Sequence, residues 1–289
     1  MIKAAVMGFG TIGSGVVEVL EVNKEVIAKR VGDTIEVKYV LDLRDFDGDP
    51  IQDKIVHDYK TIAEDKEVSI VVEAMGGVEP AYTFVKAMLE AGKHVATSNK
   101  ALVAEKGAEL LELAKANKVN FQFEASVGGG IPIIRPLNQC LSANKIDEIA
   151  GILNGTTNFI LTKMYADGMT FEDALKLAQE LGYAEKDPTA DVEGHDACRK
   201  ICIISSLVFG KHVYPDSVYT KGISDVKLCD VAAADVLGYA VKLIASVKRL
   251  ENGKILPTVM PMLVPHESIM AGVSDVFNAV MVYADGIDK

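Results

Sequence analysis

The sequence predicts an α/β protein in two parts. An N-terminal doubly wound parallel sheet occupies residues 1–132, and a C-terminal α+β domain occupies 133–289. Three observations predict this. A strand, a GxGxxG turn and a helix open the chain. Short apolar runs then alternate with amphipathic helical stretches as far as Pro132. After Pro132 the apolar runs lengthen and an Asn-Gly turn separates two of them.

The 289 residues carry 41 acidic and 30 basic side chains, a formal net charge of -11. That balance argues against nucleic acid and anionic membrane as partners. No apolar run reaches membrane-spanning length, and Met1 to Val6 reads as a strand rather than a signal peptide. The four cysteines (Cys140, Cys198, Cys202, Cys229) form no CxxC. They read as buried free thiols, which implies a reducing compartment, the cytoplasm.

Lys3 to Met7 is the first strand. Gly8-Phe9-Gly10-Thr11-Ile12-Gly13 follows at once, and Val16, Val17, Val19 and Leu20 mark a helix. Gly8 permits the tight turn, Gly10 lets the backbone approach a pyrophosphate, and Gly13 lets helix and strand pack closely. The second strand, Thr34 to Leu41, ends in Asp42, with Arg44 two residues on. An acidic residue there favours NAD through the ribose hydroxyls, and an arginine favours NADP through the 2'-phosphate. Both are present, so NAD and NADP stay open. The interval from Gly13 to Asp42 exceeds the usual spacing of about twenty residues, so Asn23 to Asp33 is expected as a helix end and a loop.

The alternation continues with a strand at Val68 to Glu73, the Met75-Gly76-Gly77 loop and a helix from Glu79 to Ala91. A strand at His94 to Thr97 leads through Ser98-Asn99-Lys100 into a helix to about Asn117, and a strand at Val119 to Glu124 follows. Ligands of such sheets bind at the carboxyl ends of the strands. Gly8–Gly13, Met75–Gly76, Ser98–Lys100 and Glu124–Gly130 all fall there. Lys100 reads either as a cation facing the site or as a cap on a surface loop.

In the second part, Lys145 to Leu153 is a longer strand, and Asn154-Gly155-Thr156-Thr157-Asn158 opens a helix to about Asp167. These residues are ordinary N-cap chemistry, and they also offer N–H groups and hydroxyls to a carboxylate. Thr170 to Leu181 is an amphipathic helix with a capping box at Thr170 and Asp173, ended by Gly182. The stretch from Gly182 to Lys200 then crowds five carboxylates and three cations into nineteen residues before a helix that runs apolar to Phe209. Asp196 and Lys200 are i,i+4 and share a face. Desolvation at the rim of a buried helix lowers a lysine pKa while a neighbouring carboxylate raises it, which would suit Lys200 to proton transfer. Glu185 and Asp191 lie on the loop before, in reach if the Pro188 turn folds back. By composition the crowd reads equally as a substrate pocket or a solvated charge cluster, and His195 reads as a bystander. Strands at Leu243 to Leu250, Ile255 to Val264 and Val276 to Tyr283 complete a sheet suited to pairing across a dimer two-fold.

Together these motifs resemble one family. Gly8 to Val16, Thr97-Ser98-Asn99-Lys100-Ala101, Glu124 to Pro132, Gly151 to Asn158 and Gly182 to Lys200 are closely similar, in the same order, to homoserine dehydrogenase. The resemblance implies reversible reduction of L-aspartate 4-semialdehyde to L-homoserine with NADH or NADPH. It implies Lys200 as acid–base residue, Asp196 holding substrate and lysine, and Lys100 between cofactor and substrate. It implies Glu185 on the substrate amino group, Asp191 in support, and Gly155 and Thr156 at the substrate. Gly8, Phe9, Gly10, Thr11, Ile12, Gly13, Asp42, Arg44, Met75, Gly76, Thr97 and Lys100 are the implied cofactor set. Glu124 with the carbonyls of Val127, Gly129 and Ile131 is the implied site for a sodium-type cation. A homodimer through the second domain is implied too. Against the family pattern, no regulatory ACT-type domain follows, and the chain stops before the glycine-rich segment that usually comes next, so a truncated C-terminus is expected. A thiol-dependent dehydrogenase fits poorly, because Cys140 sits late in an expected helix and Cys198 and Cys202 lie in the buried one. A reductase of another small aldehyde or keto acid, or a non-catalytic nucleotide sensor, remains as an alternative.

Overall fold

The structure, a computed structural model, describes residues 1–285. Met1–Pro132 and Ile133–Lys289 form two compact units.

The first unit runs β1 (Ile2–Met7), α1 (Thr11–Val22), α2 (Lys24–Val31), β2 (Ile35–Leu41), β3 (Ile55–Val56), α3 (Tyr59–Glu64), β4 (Val68–Glu73), α4 (Ala81–Glu90), β5 (His94–Thr97), α5 (Lys100–Ala116), β6 (Phe121–Gln122) and α6 (Ala125–Gly128). The six strands are parallel in the order β3-β2-β1-β4-β5-β6, the doubly wound arrangement. β1 sits between β2 and β4, which is why Ala4 to Met7 are continuously apolar and buried. Val6, Val17, Val37, Val40 and Ile51 form a core cluster under α1. Each fully buried side chain of this kind contributes roughly 1.5–3 kcal/mol. Gly13 is required by close approach: a Cβ there would lie 1.8 Å from the Gly8 carbonyl oxygen.

The helix end and loop expected over Asn23 to Asp33 are largely a separate helix, α2, eight residues closed by Gly32 at φ 85°. It hides in the sequence because none of its residues is buried, so it carries no apolar stripe. The strand expected over Val119 to Glu124 shrinks to Phe121–Gln122, since it pairs only with β5 over two residues.

The second unit runs β7 (Ile146–Ile152), α7 (Gly155–Asp167), α8 (Phe171–Glu180), α9 (Thr189–Val192), α10 (His195–Phe209), β8 (Tyr219–Thr220), α11 (Leu228–Val236), β9 (Tyr239–Arg249), β10 (Ile255–Pro265) and β11 (Ala279–Ala284). Its sheet has the order β11-β7-β9-β10-β8, antiparallel except for β10 with β8. α11 was not expected, and β9 begins four residues before Leu243. β11 begins three residues after Val276, where the chain first turns against α7. The Thr170 hydroxyl accepts from the Asp173 N–H (3.2 Å) and donates to its carboxylate (2.8 Å), half of the expected reciprocal box. Cys198 and Cys202 are buried as expected, but Cys140 and Cys229 are exposed.

β9 and β10 pair without a break from Ile255–Arg249 to Pro265–Tyr239. The Lys221 N–H donates to the Val259 carbonyl (2.8 Å), so odd-numbered positions of β10 point toward the β8 margin. Pro257, Pro261 and Pro265 are all odd, and the ladder to β9 is left whole.

Lys242 on β9 is 4% exposed. Its ammonium donates to Asn158 Oδ1 (3.1 Å) and the Val273 carbonyl (2.6 Å). Asn158 Nδ2 donates to the carbonyls of Val273 and Phe277, both at 3.1 Å. This clasp ties the chain entering β11 to α7. Burial pushes the Lys242 ammonium down to about 8, with Asp275 opposing. An exposed lysine titrates near 10.4, so between these values the unfolded chain binds the extra proton and stability rises with pH. Comparing wild type with Lys242→Met by urea denaturation, the difference should move in favour of wild type by roughly 2–3 kcal/mol from about pH 7 to about pH 10. A difference that does not change with pH would contradict the buried-ammonium account.

Candidate active site

At the carboxyl ends of β1, β2 and β4 the first unit has a cleft of about 510 Å³, lined by Gly8, Phe9, Gly10, Asp42, Arg44, Met75 and Gly76 together with His57. Seven expected cofactor residues therefore share one concavity. Thr11, Ile12 and Gly13 form the first turn of α1, whose N-terminal N–H groups suit an anion. Gly8 turns the chain at φ 95°, in the left-handed region that favours glycine.

Asp42 and Arg44 act on each other. Arg44 donates to both carboxylate oxygens, from Nε (2.9 Å) to Oδ1 and from its terminal nitrogen (3.0 Å) to Oδ2. The Arg44 backbone N–H (3.0 Å) and the Phe9 N–H (2.9 Å) supply the remaining donors. The Arg44 guanidinium holds the Asp42 carboxyl well below the usual carboxylate range. The guanidinium also donates to the Phe9 carbonyl (3.0 Å) and lies 5.0 Å over the Phe46 ring. Arg44 is thus fixed at the cleft edge while its side chain stays 60% exposed. Both lone-pair sets of Asp42 are filled by the protein itself.

Thr97 is buried and donates to the Glu73 carboxylate. Lys100 opens α5, with Asn99 as its N-cap accepting from the Leu102 N–H (3.1 Å). In the expected cation set, Glu124 precedes α6, Val127 is buried within it, and Gly129 reverses the chain at φ 58°. The Ile131 N–H then closes on the Gly128 carbonyl (2.9 Å). One carboxylate with carbonyls from a tight reversal is an all-oxygen donor set, the chemistry a hard cation takes. Among the described residues no three His, Cys, Asp or Glu side chains gather as metal ligands.

In the second unit the crowd of charges is partly resolved. Lys200 Nζ lies 2.8 Å from Asp196 Oδ2, with side chains 13% and 4% exposed. The same ammonium donates to the Leu153 carbonyl (2.7 Å) at the end of β7. Asn154 Nδ2 donates both to Asp191 Oδ1 (2.7 Å) and to Asp196 Oδ2 (3.0 Å). Asn154 Oδ1 meanwhile caps α7 by accepting the Thr157 N–H (2.8 Å). Asp191, Asp196 and Lys200 are therefore gathered where β7 ends and α7 and α10 begin. Removing one partner of so buried a pair costs about 3–5 kcal/mol.

Gly155 and Thr156 have structural duties of their own. A Cβ on Gly155 would lie 2.7 Å from the Val276 carbonyl oxygen, and the Thr156 hydroxyl donates to the Tyr183 carbonyl (2.8 Å). Glu185 is exposed, and its carbonyl, not its carboxylate, is held, by Gln179 Nε2 (3.1 Å). His195 is exposed at the first position of α10.

Cys198 and Cys202, on the buried side of α10, share a hydrogen bond that pulls the Cys198 thiol down to about 7 and pushes the Cys202 thiol up. Neither takes part in the polar cluster.

Two residues of the polar framework were not singled out from sequence: Glu73 and Asn154. Glu73 read as the end of an apolar run. Asn154 read as a helix cap, which it is, and only the fold brings its amide to Asp191 and Asp196.

The first unit has the fold and the glycine turn of a dinucleotide-binding domain, joined in one chain to a unit with a buried Asp–Lys pair; that combination defines a two-part dinucleotide-binding protein. The sequence pattern described as "Homoserine dehydrogenase, NAD binding domain" matches residues 8–124, and that described as "Homoserine dehydrogenase" matches residues 132–289. Homoserine dehydrogenase of Pseudomonas aeruginosa is 45% identical over 99% of this chain and 66% of its own length. That of Bacillus subtilis is 41% identical over 100% and 67%. A solved homoserine dehydrogenase from Thiobacillus denitrificans superposes with a TM-score of 0.94 at 42% identity, over 99% of this chain and 67% of that one. A hyperthermophilic archaeal homoserine dehydrogenase solved with NADPH gives 0.83 at 27%, over 99% and 89%. The chain belongs to the homoserine dehydrogenase family. It spans about two thirds of the length of the first two relatives named. Among the described residues no helix is long and apolar enough to cross a membrane.

Asn154→Ala removes a helix cap and leaves two carboxylates without their shared donor. It should cost roughly 2–4 kcal/mol in a urea unfolding experiment. A loss below about 1 kcal/mol would show that the bridge contributes no more than the cap.

Proposed function

We propose that the protein catalyses the reversible reduction of L-aspartate 4-semialdehyde to L-homoserine with a nicotinamide cofactor, as a homodimer formed through the second unit, in the cytoplasm. Family membership supports the reaction, and the observation that carries the chemistry is the Lys200 hydrogen-bond pattern. An ammonium has three N–H donors. Two are committed, to Asp196 and to the Leu153 carbonyl, which leaves one for a substrate oxygen. When bound, the cofactor supplies the hydride that reaches the carbonyl carbon. Lys200 delivers its remaining proton to the oxygen that becomes the alcohol, while Asp196 holds the lysine in place. In the reverse direction Lys200 takes up the proton of the alcohol as hydride leaves the carbon. Glu185, exposed on its loop, is proposed to pair with the substrate ammonium, with Asp191 in support. Gly155 and Thr156 are proposed to line the substrate, and Lys100 to lie between it and the cofactor.

For the cofactor, Gly8 to Gly13 are proposed to hold the pyrophosphate, with Met75, Gly76 and Thr97 at the nicotinamide end. The filled Asp42 carboxylate and the fixed, exposed Arg44 favour NADP, because the guanidinium can meet a 2'-phosphate while the carboxylate has no acceptor left for ribose hydroxyls. Glu124 and the carbonyls of Val127, Gly129 and Ile131 are proposed to hold a monovalent cation that stiffens that turn.

The test is absorbance at 340 nm with L-homoserine and each of NADP and NAD. Turnover is expected with at least one. No turnover with either, alongside retained nucleotide binding, would favour a nucleotide sensor instead. Lys200→Ala should lower kcat by about a hundredfold or more, with NADPH affinity nearly unchanged; near-normal turnover would sink the assignment. Glu185→Gln should act mainly on KM for homoserine. Arg44→Ala should weaken NADPH by about tenfold while leaving NADH within about twofold. An equal loss of both would place the 2'-phosphate elsewhere.

A further inference from the structure

Glu73 closes β4 and is fully buried. A carboxylate with no access to water has to be met by donors from the protein. Four are within reach, drawn from two different segments. From the loop after β4, the Met75 N–H donates to Oε1 (2.8 Å) and the Gly76 N–H reaches the same oxygen (3.4 Å). From the end of β5 and the loop after it, the Thr97 hydroxyl donates to Oε2 and Asn99 Nδ2 reaches Oε1 (3.4 Å). Asn99 extends the link, since its Nδ2 also donates to the Gly77 carbonyl (2.6 Å) and its backbone N–H donates to Thr97 Oγ1 (2.9 Å). Asn99 Oδ1 then caps α5, the helix that Lys100 begins.

We infer that Glu73 is a positioning residue that locks the Met75–Gly77 loop to the Thr97–Asn99 segment, so that Met75, Gly76 and Lys100 are presented as one surface to the nicotinamide end of the cofactor. The inference rests on the proposed cofactor site. Several features set Glu73 apart from an ordinary buried polar residue. All four neighbours donate, which is the pattern of an acceptor-only carboxylate. Gly76 and Gly77 both sit at positive φ, 81° and 73°. Glycines in that region leave a loop little stiffness of its own, so the side-chain lock sets its shape. The two loops follow neighbouring parallel strands, β4 and β5, and the lock couples the ends of both.

The experiment is a double-mutant cycle on the full chain, read by the dissociation constant of NADPH from its fluorescence, with melting temperature recorded alongside. Asn99→Asp keeps the oxygen that caps Leu102 but turns a carboxylate oxygen toward Glu73 and the Gly77 carbonyl. It should weaken NADPH by about tenfold or more. Glu73→Gln keeps one oxygen for the Met75 and Gly76 amides and should cost about threefold. In the double variant residue 73 no longer sets a carboxylate against the one introduced at 99, so binding should return to within about threefold of Glu73→Gln alone. If Asn99→Asp does not fold, Thr97→Val, which exchanges the hydroxyl for a methyl group of similar size, should raise the NADPH dissociation constant by about fivefold. Additive effects in the cycle, or variants that lower melting temperature while binding NADPH like wild type, would overturn the inference and leave the proposed function standing. Wild-type protein that binds neither NADPH nor NADH would overturn both.

Discussion

A carboxylate withdrawn from water must be surrounded by donors, and each unit of this protein is arranged around one that is. In the first unit it is Glu73, in the second Asp196. The apolar layers hold the sheets and helices together, but they are tolerant of modest change in shape. The donors around a buried charge are not, because each missing bond is costly in a low-dielectric interior. That is why loop after loop at these strand ends has its shape set by a side chain rather than by packing. Met75 and Gly76 turn toward Glu73. Asn154 begins α7 where its amide can serve Asp191 and Asp196 together. The residues proposed to act on cofactor and substrate inherit their positions from these arrangements.

The framework was legible in sequence where backbone geometry dictates residue type. Gly8 and Gly13 are glycine because one turns through positive φ and the other lies against a carbonyl oxygen. The β4 and β5 boundaries were visible because buried parallel strands read as unbroken apolar runs. α11 was not visible. Val231 and Ala234 are the buried residues of its nine, too few to make a stripe, and its start rests on the Lys227 N–H accepted by Asp230 rather than on a serine or threonine cap. α2 was missed for the same lack of a buried face.

The site divides along a similar line. Asp196 and Lys200 could be paired from sequence because four residues is one helical turn. Asp191 joins them through Asn154, a contact across 37 positions that no local spacing encodes. Glu185 and Asp191 were both expected on the loop before α10, but Asp191 lies in the short helix α9 that follows Pro188, and Glu185 alone stays on the loop, exposed. Adjacency in a charged stretch was therefore a poor guide to adjacency in space. The oxygen set at Glu124 to Ile131 is the extreme case, since carbonyl donors leave no mark on residue identity.

The prolines of β10 have a consequence for how copies of this chain can meet. Where β8 ends, the outer margin of β10 still offers carbonyl oxygens, but at residues 257, 261 and 265 it has no hydrogen to give. A foreign strand laid along that margin would find every second pairing site of the ladder one-sided. Ribbon-like growth from this side is thereby discouraged without any charged gatekeeper. Contact across the broad face of the sheet makes no use of that margin, so the prolines restrain edge pairing there without restricting how the face is covered.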